Sequence, residues 1–452
     1  MPFVVAFISL LVPGLTGFAL VRACIPGERY LCRHDLLKLC LGIGVGFGIC
    51  SCMFFVWLLT YGTVHALYIA VEIGAAILAS ALAVYRATGC GLCRLPPLPE
   101  STLTRWRYLV LIVAGLIFVS ACVSFALESR IHPEGQGDAW AIWNLRARYL
   151  FRGGDHWRNA FSGNLSWSHL DYPLLLPGLV ARSWIYTGTE TQSVPIGIAM
   201  LFTCAAVGVL ITALCALGGR EKALLAGTVL VGTASFVKLG AAQYADVPVA
   251  FYFLSSIVLI CMRDRLPPAG TILAGVTAAL AAWTKNEGLL FVALVPIAMA
   301  WAKQPVRKFM MGAIAILALL AIFKLGLAPP DYLAQNDRAG LLRKLADPSR
   351  YLLIAAGFLY ELSHFGGQGL NPLLPFVATP FLLRFSDRCG ARMAAIVLLG
   401  MCVGFVGVYL ITPVDLAWHI AWSLDRLLLQ LWPATVFLCF YTADVSATPS
   451  WK

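Results

Sequence analysis

MPFVVAFISLLVPGLTGFALV, residues 1–21, contains no charged side chain. A helix advances about 1.5 Å per residue, so about 20 apolar residues cross the roughly 30 Å hydrocarbon core of a bilayer. The stretch meets that length. It has no basic segment ahead of its apolar run and no small-residue cleavage site, so a retained helix is expected rather than a secretory leader. Comparable runs recur along the chain. Its 452 residues are 60% hydrophobic and 12% charged, with a mean hydropathy of +0.82, whereas a soluble domain carries about 25% charged residues. The composition predicts an all-α polytopic membrane protein. About 13 transmembrane helices are expected, near 2–21, 36–60, 64–85, 107–127, 194–218, 222–237, 247–262, 268–284, 288–302, 309–328, 371–385, 393–412 and 427–443. Two other apolar stretches, 173–187 and 350–362, are too short or interrupted to span and are expected as interfacial or re-entrant helices.

Loop charge sets the orientation, because basic residues accumulate on the cytoplasmic side. The segments 22–38, 86–107, 219–222, 263–267, 303–308, 384–392 and the C-terminal end together hold 19 Lys and Arg against 7 Asp and Glu, while the alternate set holds 13 against 14. Nearly all of the net charge of +11 therefore lies on one face. That asymmetry is a topology signal and calls for no nucleic acid partner. It places the N-terminus outside, the tail 444–452 in the cytoplasm, and the longest connections, 128–193, 329–370 and 413–426, outside. None of the 14 cysteines falls in those three outer segments, so no disulfide framework is expected. Cys90 and Cys93 form one CxxC on the cytoplasmic side, with no second ligand pair to complete a zinc site.

The outer face collects the acids. Asp138 lies in "QGDAWAIWNLRARYL" (136–150), Asp246 in "AAQYADVPVAFY" and Glu287 in "AWTKNEGLLF". A carboxylate held near the bilayer by short turns is costly unless it is paired or lines a wet cavity. Lys285 offers Glu287 a local partner, and Asp246 before Val247-Pro248 also suits a helix cap. After Asp138, Trp140, Trp143, Ala147 and Leu150 make one stripe of an amphipathic helix, with Arg146 and Arg148 near its end. Such a helix suits the membrane interface. Trp also stacks on sugar faces, and the Arg fork binds phosphate oxygens. "SHLDYPLLLPGLVARSW" (168–184) is broken by Pro173 and Pro177, and broken backbone at membrane depth is tolerated where it lines a cavity. His169 and Tyr172 of that stretch are candidates for substrate contact. At the far end, "TPVDLAWHIAWSLDRLLLQLWP" brings His419, Asp425 and Arg426 to the start of the last span. Arg426 there either meets a phosphate, snorkels, or pairs with Asp425. His364 has the bland reading of a structural histidine.

Those stretches, "GDAW" after a span, "HLDYPLLLP", "QYADVPVAFY", "TKNEG" and "SLDRLLLQLWP", resemble motifs of the GT-C superfamily of membrane glycosyltransferases. The nearest likeness is to the bacterial branch related to protein O-mannosyltransferases and lipid A aminoarabinose transferases. The resemblance covers about 107–443. It leaves 1–106 as extra N-terminal helices and implies a GT-C-like helical bundle with juxtamembrane helices on its outer face. It implies a transferase in the bacterial inner membrane that moves a sugar from a polyprenyl-phosphate donor to a glycan, lipid or protein acceptor. Asp138 matches the catalytic carboxylate of the first outer loop and Asp246 a second acidic position. Family members often carry two adjacent acids in that loop. Here Asp138 stands alone between Gly137 and Ala139, which leaves the acceptor open and gives no support for a bound divalent metal.

The chemistry needs a base for the acceptor hydroxyl and cations for the departing phosphate. Asp138, Asp246 and Glu287 are the catalytic candidates. Trp140, Trp143, Arg146, Arg148, His169, Tyr172, Lys285, His419 and Arg426 are the substrate-binding candidates. The alternative is a transporter, flippase or ligase of lipid-linked saccharides, but the gathering of polar groups on one face favours an enzyme with one-sided access. The topology has a direct test. Single cysteines in a cysteine-free background should react with an impermeant thiol reagent from outside when placed in 128–193, and not in 86–107. The reverse pattern would overturn the assignment.

Overall fold

A computed structural model describes residues 2–25, 35–87, 105–217, 219–330, 337–367 and 389–443, and among them every regular element is helical. Four long helices come first: α1 (Pro2–Cys24), α2 (Asp35–Tyr61), α3 (Ala66–Ala87) and α4 (Arg105–Ile131). After a connection, a π-helical turn at Ala139–Trp143 runs into the short α5 (Asn144–Arg152), and two 3-10 segments lead to α6 (Leu175–Thr187). Then follow α7 (Ser193–Leu217), α8 (Arg220–Gly232), α9 (Ala234–Ala241), α10 (Asp246–Cys261), α11 (Pro268–Thr284), α12 (Glu287–Trp301) and α13 (Val306–Gly326). The last elements are α14 (Arg338–Ala346), α15 (Pro348–His364), α16 (Cys389–Ile411) and α17 (Leu416–Thr442). Seven of these helices, α1–α4, α7, α13 and α16, are long and apolar enough to cross a membrane. Over the described residues the chain is an all-helical membrane protein. The span expected at 371–385 and the Cys90–Cys93 pair lie outside the described residues.

Several elements depart from the sequence expectation. The run 222–237 is two helices, α8 and α9, bent by 64° at Thr233, whose extended backbone interrupts the helical ladder. The stretch 173–187, expected as an interfacial or re-entrant helix, is enclosed by the rest of the protein over most of α6. In α6 every residue from Leu175 to Trp184 is buried, and its one cation finds a partner inside. Arg182 donates through Nε and Nη2 to Glu72 of α3 at 3.1 and 2.8 Å, and through Nη1 to the Ser9 carbonyl of α1 at 2.8 Å. Tyr186 adds its hydroxyl to Glu72 at 2.7 Å. The final helix begins at Leu416, well before the expected 427, because the Asp415 carboxylate caps it by accepting from the Trp418 N–H at 2.8 Å. Arg426 is therefore about three turns inside α17.

The core is built around α10. All its residues from Asp246 to Cys261 are buried, as expected of a helix that is apolar on every side. It packs against α7, α11 and α17. By contrast α4 exposes Tyr108, Ile112, Leu116, Val119 and Val123, an apolar face suited to lipid. Without a hydrophobic drive between helices in lipid, close backbone approach at small residues holds them together. A Cβ on Gly275 of α11 would stand 1.9 Å from the Phe309 carbonyl oxygen of α13, and one on Gly312 would stand 1.9 Å from the Ile272 oxygen. The α1–α2 crossing uses Gly17 and Gly46 in the same way. Gly312→Ala is expected to destabilise by about 1–3 kcal/mol and to lower the thermal midpoint in detergent. Gly407→Ala, with no neighbour within 4 Å, should be neutral or slightly stabilising. Equal midpoints for the two variants would contradict this packing.

Candidate active site

The connection after α4, the turn between α9 and α10, the turn between α11 and α12 and the middle of α17 meet at one polar centre. Asp246 is its fixed point. It does not cap α10. Instead its buried carboxylate accepts from Lys285 Nζ (3.1 Å), Arg426 Nε (3.1 Å) and Nη2 (2.9 Å), and Gln430 Nε2 (2.7 Å). Lys285 also pairs with Glu287 at 2.8 Å, and Gln430 Nε2 reaches Glu287 Oε1 at 3.3 Å. The same Nη2 of Arg426 bonds Asp138 Oδ2. Arg426 thus bridges Asp138 and Asp246, and its guanidinium forms its ion pairs with these two carboxylates. The structure brings Asp138, Asp246 and Glu287 together from three separate connections. Their side chains are 29%, 0% and 16% exposed respectively, so Asp138 is the acid most open to solvent.

Loop packing holds Asp138 in place. The Gln136 N–H donates to the Ala242 carbonyl at 3.2 Å. Gln243, held at φ 63°, donates to the Pro133 carbonyl at 3.1 Å and accepts from Asn144 at 2.9 Å. Gly135, at φ 76°, is needed because a Cβ there would lie 2.3 Å from that of Ala139. Beside Asp138, the Tyr244 ring lies 4.7 Å under the Arg426 guanidinium.

The tryptophans divide. Trp140 is 52% exposed, while Trp143 is buried and stacks on Tyr172 at 5.5 Å, which stacks in turn on His169 at 5.0 Å. The expected interfacial stripe is therefore mostly an inward one, since Trp143, Ala147 and Leu150 all face the core. His169 sits at φ 47°, a left-handed conformation costly for a residue with a Cβ and characteristic of functional loops. Its backbone is clasped by Arg146, whose buried guanidinium donates to the carbonyls of His169 (2.5 Å), Tyr172 (2.5 Å) and Ser168 (3.2 Å). Arg148 faces the other way, onto Glu134 and Glu190. Its hydrogen bond holds the Glu134 carboxyl below its usual value. Both arginines, expected as phosphate ligands, are committed to the protein itself. His419 bonds Thr412 Oγ1 at 3.0 Å. His364 stacks on Tyr360 of its own helix.

Sequence reasoning missed Gln430, Tyr244 and a second polar cluster. Gln430 was readable as the residue four beyond Arg426, on the same helix face. In the second cluster Asn286 donates to Asp171 at 2.5 Å. Lys324, at the end of α13, donates to Asn286 Oδ1 at 2.7 Å and to the Asp171 carbonyl at 2.6 Å. Asn286 stands between Lys285 and Glu287, so one turn serves both clusters. Among the described residues no group of three or more His, Cys, Asp or Glu is arranged to hold a metal.

No protein family, curated protein or solved structure matches this chain. The class that the fold defines is an all-helical membrane protein, with a buried acid–base cluster where helix ends meet. The Arg146 clasp has a measurable consequence. Arg146→Met leaves three loop carbonyls without their donor, and hydrogen-exchange protection across 168–172 should fall by about tenfold or more. Arg146→Lys should recover only part of it, because an ammonium lacks the planar fork. Unchanged protection in Arg146→Met would refute the clasp.

Proposed function

We propose that this chain is a GT-C-type membrane glycosyltransferase, with about thirteen spans, working at the outer face of a bacterial inner membrane. On this reading it moves a sugar from a polyprenyl-phosphate donor to an acceptor hydroxyl. The observation that carries the reading is the convergence of Asp138, Asp246 and Glu287 on Arg426, Lys285 and Gln430, with Asp138 the acid open to solvent.

Asp138 is the general base. A base must come within hydrogen-bond reach of the acceptor hydroxyl, and an acid with its side chain partly exposed meets that need better than Asp246. Asp246 is a positioning residue. It fixes Arg426, and Arg426 fixes Asp138. Glu287 Oε2 and Gln430 Oε1 are buried and accept no hydrogen bond within the described residues. Acceptors of this kind cost free energy until a donor arrives, and sugar hydroxyls are such donors. The Trp143–Tyr172–His169 stack and the exposed Trp140 add aromatic surface of the sort that packs on sugar rings. Attack by the activated hydroxyl on the anomeric carbon, with the carbon–oxygen bond to phosphate breaking on the opposite side, inverts that centre. The hydroxyl proton passes to Asp138, and the polyprenyl phosphate leaves with the bonding electron pair.

Asp138→Asn keeps the shape of the side chain and removes the base. Release of polyprenyl phosphate from a panel of polyprenyl-phosphate sugars, with an acceptor extract present, is expected to fall about 10²-fold or more at unchanged thermal stability. Turnover near that of the parent in the Asn variant would remove Asp138 from the role. Absence of release by the parent across the panel would remove the function.

A further inference from the structure

The segment 337–350 departs from the charge pattern of its own side. Loop charge assigns it to the outer face, where bases do not outnumber acids. Yet here four cations, Arg338, Arg343, Lys344 and Arg350, stand against two acids, Asp337 and Asp347. Both acids serve as helix caps. Asp337 accepts from the Gly340 N–H at 2.9 Å, and Asp347 from the N–H and hydroxyl of Ser349 at 2.9 and 2.7 Å.

Arg350 fixes the depth of the segment. Its guanidinium donates to the carbonyls of Tyr409 (2.8 Å) and Leu410 (3.0 Å) in the last turn of α16, where a helix leaves carbonyls without donors. Helix α16 is long and apolar enough to span, so this bond holds the junction of α14 and α15 at the level where a span leaves the hydrocarbon. Trp418 and Trp422, just beyond the end of α16, are both exposed, as in the aromatic belt of a membrane interface. The junction itself is firm. Pro348 starts α15, and the Tyr351 hydroxyl donates to the Leu345 carbonyl at 2.8 Å.

Helix α14 is thereby presented as a shelf at headgroup depth, and none of its residues is buried. Leu341, Leu342 and Leu345 share one arc of the helix, with Arg343 and Lys344 on the opposite flanks. Leu342 and Leu345 are 66% and 39% exposed. A helix facing only water has no use for those leucines, and one facing only acyl chains does not carry the arginines. Both are suited to the surface of a bilayer with negative headgroups.

We propose that α14 docks acidic phospholipid of the surrounding bilayer. Leu342 and Leu345 enter the acyl region, and the exposed guanidinium groups of Arg338 and Arg343 take the phosphate oxygens and the net negative charge of the headgroup. Lys344 is engaged within the protein and Arg350 with α16, so the two exposed arginines carry the recognition.

The test puts a fluorophore on a single cysteine, Leu342→Cys, in the cysteine-free full chain reconstituted into mixed phosphatidylcholine and phosphatidylglycerol vesicles. Quenching by brominated-chain phosphatidylglycerol is compared with quenching by brominated-chain phosphatidylcholine at equal mole fraction. The acidic lipid should be favoured, and salt should reduce its advantage. Arg338→Gln or Arg343→Gln should each lower the preference about fivefold, the scale of one basic residue at an anionic surface, and the double variant should abolish it. Replacing both by Lys should keep a preference, because the charge remains. A label at Leu359→Cys, farther along α15, should be quenched equally by the two lipids. Native mass spectrometry of the unlabelled chain gives a second measure: phosphatidylglycerol should be retained over phosphatidylcholine by the parent and not by the double Gln variant. Equal quenching by both lipids at position 342 would leave an apolar contact without charge recognition, and no quenching by either would turn α14 toward water or a protein partner. Each result would overturn the proposal. So would a preference for the acidic lipid at both 342 and 359, which would assign it to the overall charge of the protein, or a preference that survives in the double Gln variant.

Discussion

A carboxylate at the head of a helix buried on all sides must be compensated, and much of this molecule follows from how Asp246 is. A lone charge in such a place costs several kcal/mol even after relaxation, and removing one partner of a buried pair costs about 3–5 kcal/mol. Asp246 therefore holds its partners closely. Lys285 fixes the turn between α11 and α12, and Arg426 and Gln430, one helical turn apart, fix the rotation of α17. Once those elements are set, Glu287 is carried in beside Lys285, and the first long connection closes on the free side of Arg426 through Asp138. The arrangement makes Asp246 an anchor and leaves Asp138 as the member able to meet a ligand.

The same rule operates a second time, away from the site. Glu72 and Arg182 are both buried and joined, with Ser9 and Tyr186 completing much of their hydrogen bonding. This pair ties α3 to α6, and so ties the first helices to the segment that follows the Asp171 loop. Those first helices share the core. Tyr252 of α10 donates to the Gly44 carbonyl of α2, and Ser51 of α2 accepts from Trp283 and donates to the Leu174 carbonyl. Helix α2 thus packs directly against the elements that present the site.

The helical and apolar character was legible from composition and run length, because a bilayer sets a length that sequence displays. So were the acids, since charge in so apolar a chain is conspicuous. Partner choice was not legible. Arg146 and Arg148 look like ligands for phosphate in sequence, yet one clasps the 168–172 backbone and the other pairs with Glu134 and Glu190. A guanidinium serves a carbonyl, a carboxylate or a phosphate equally well, and only the tertiary arrangement decides which is near. Asp171 and Lys324 were passed over for the complementary reason. They are far apart in the chain and become one cluster only when the end of α13 meets the loop before α6. The start of α17 was misplaced because its first turns, "LAWHIAWSLD", are amphipathic rather than continuously apolar, so run length could not find them.

Exposure within the acid cluster orders its members by what each can do. Asp246, fully enclosed and bonded to three side chains, loses little freedom when a ligand binds because it has none left. Glu287 is partly enclosed and keeps one oxygen without a donor in the described residues, so it has capacity to recognise a hydroxyl. Asp138 is the most exposed and is held through a single guanidinium nitrogen, which sets its direction while leaving its other oxygen outside that contact. Preorganisation works in this way when the fixed charges are settled before the ligand arrives, because no reorganisation remains to be done at the moment of reaction. The strained backbone at His169 and Gln243 belongs to the same economy. Each residue in the left-handed region costs about 1–3 kcal/mol, and each stands in a loop bonded by Arg146 or Asn144. The stability of the buried helices tolerates that cost, and what it secures is the fixed approach of two loops to one carboxylate.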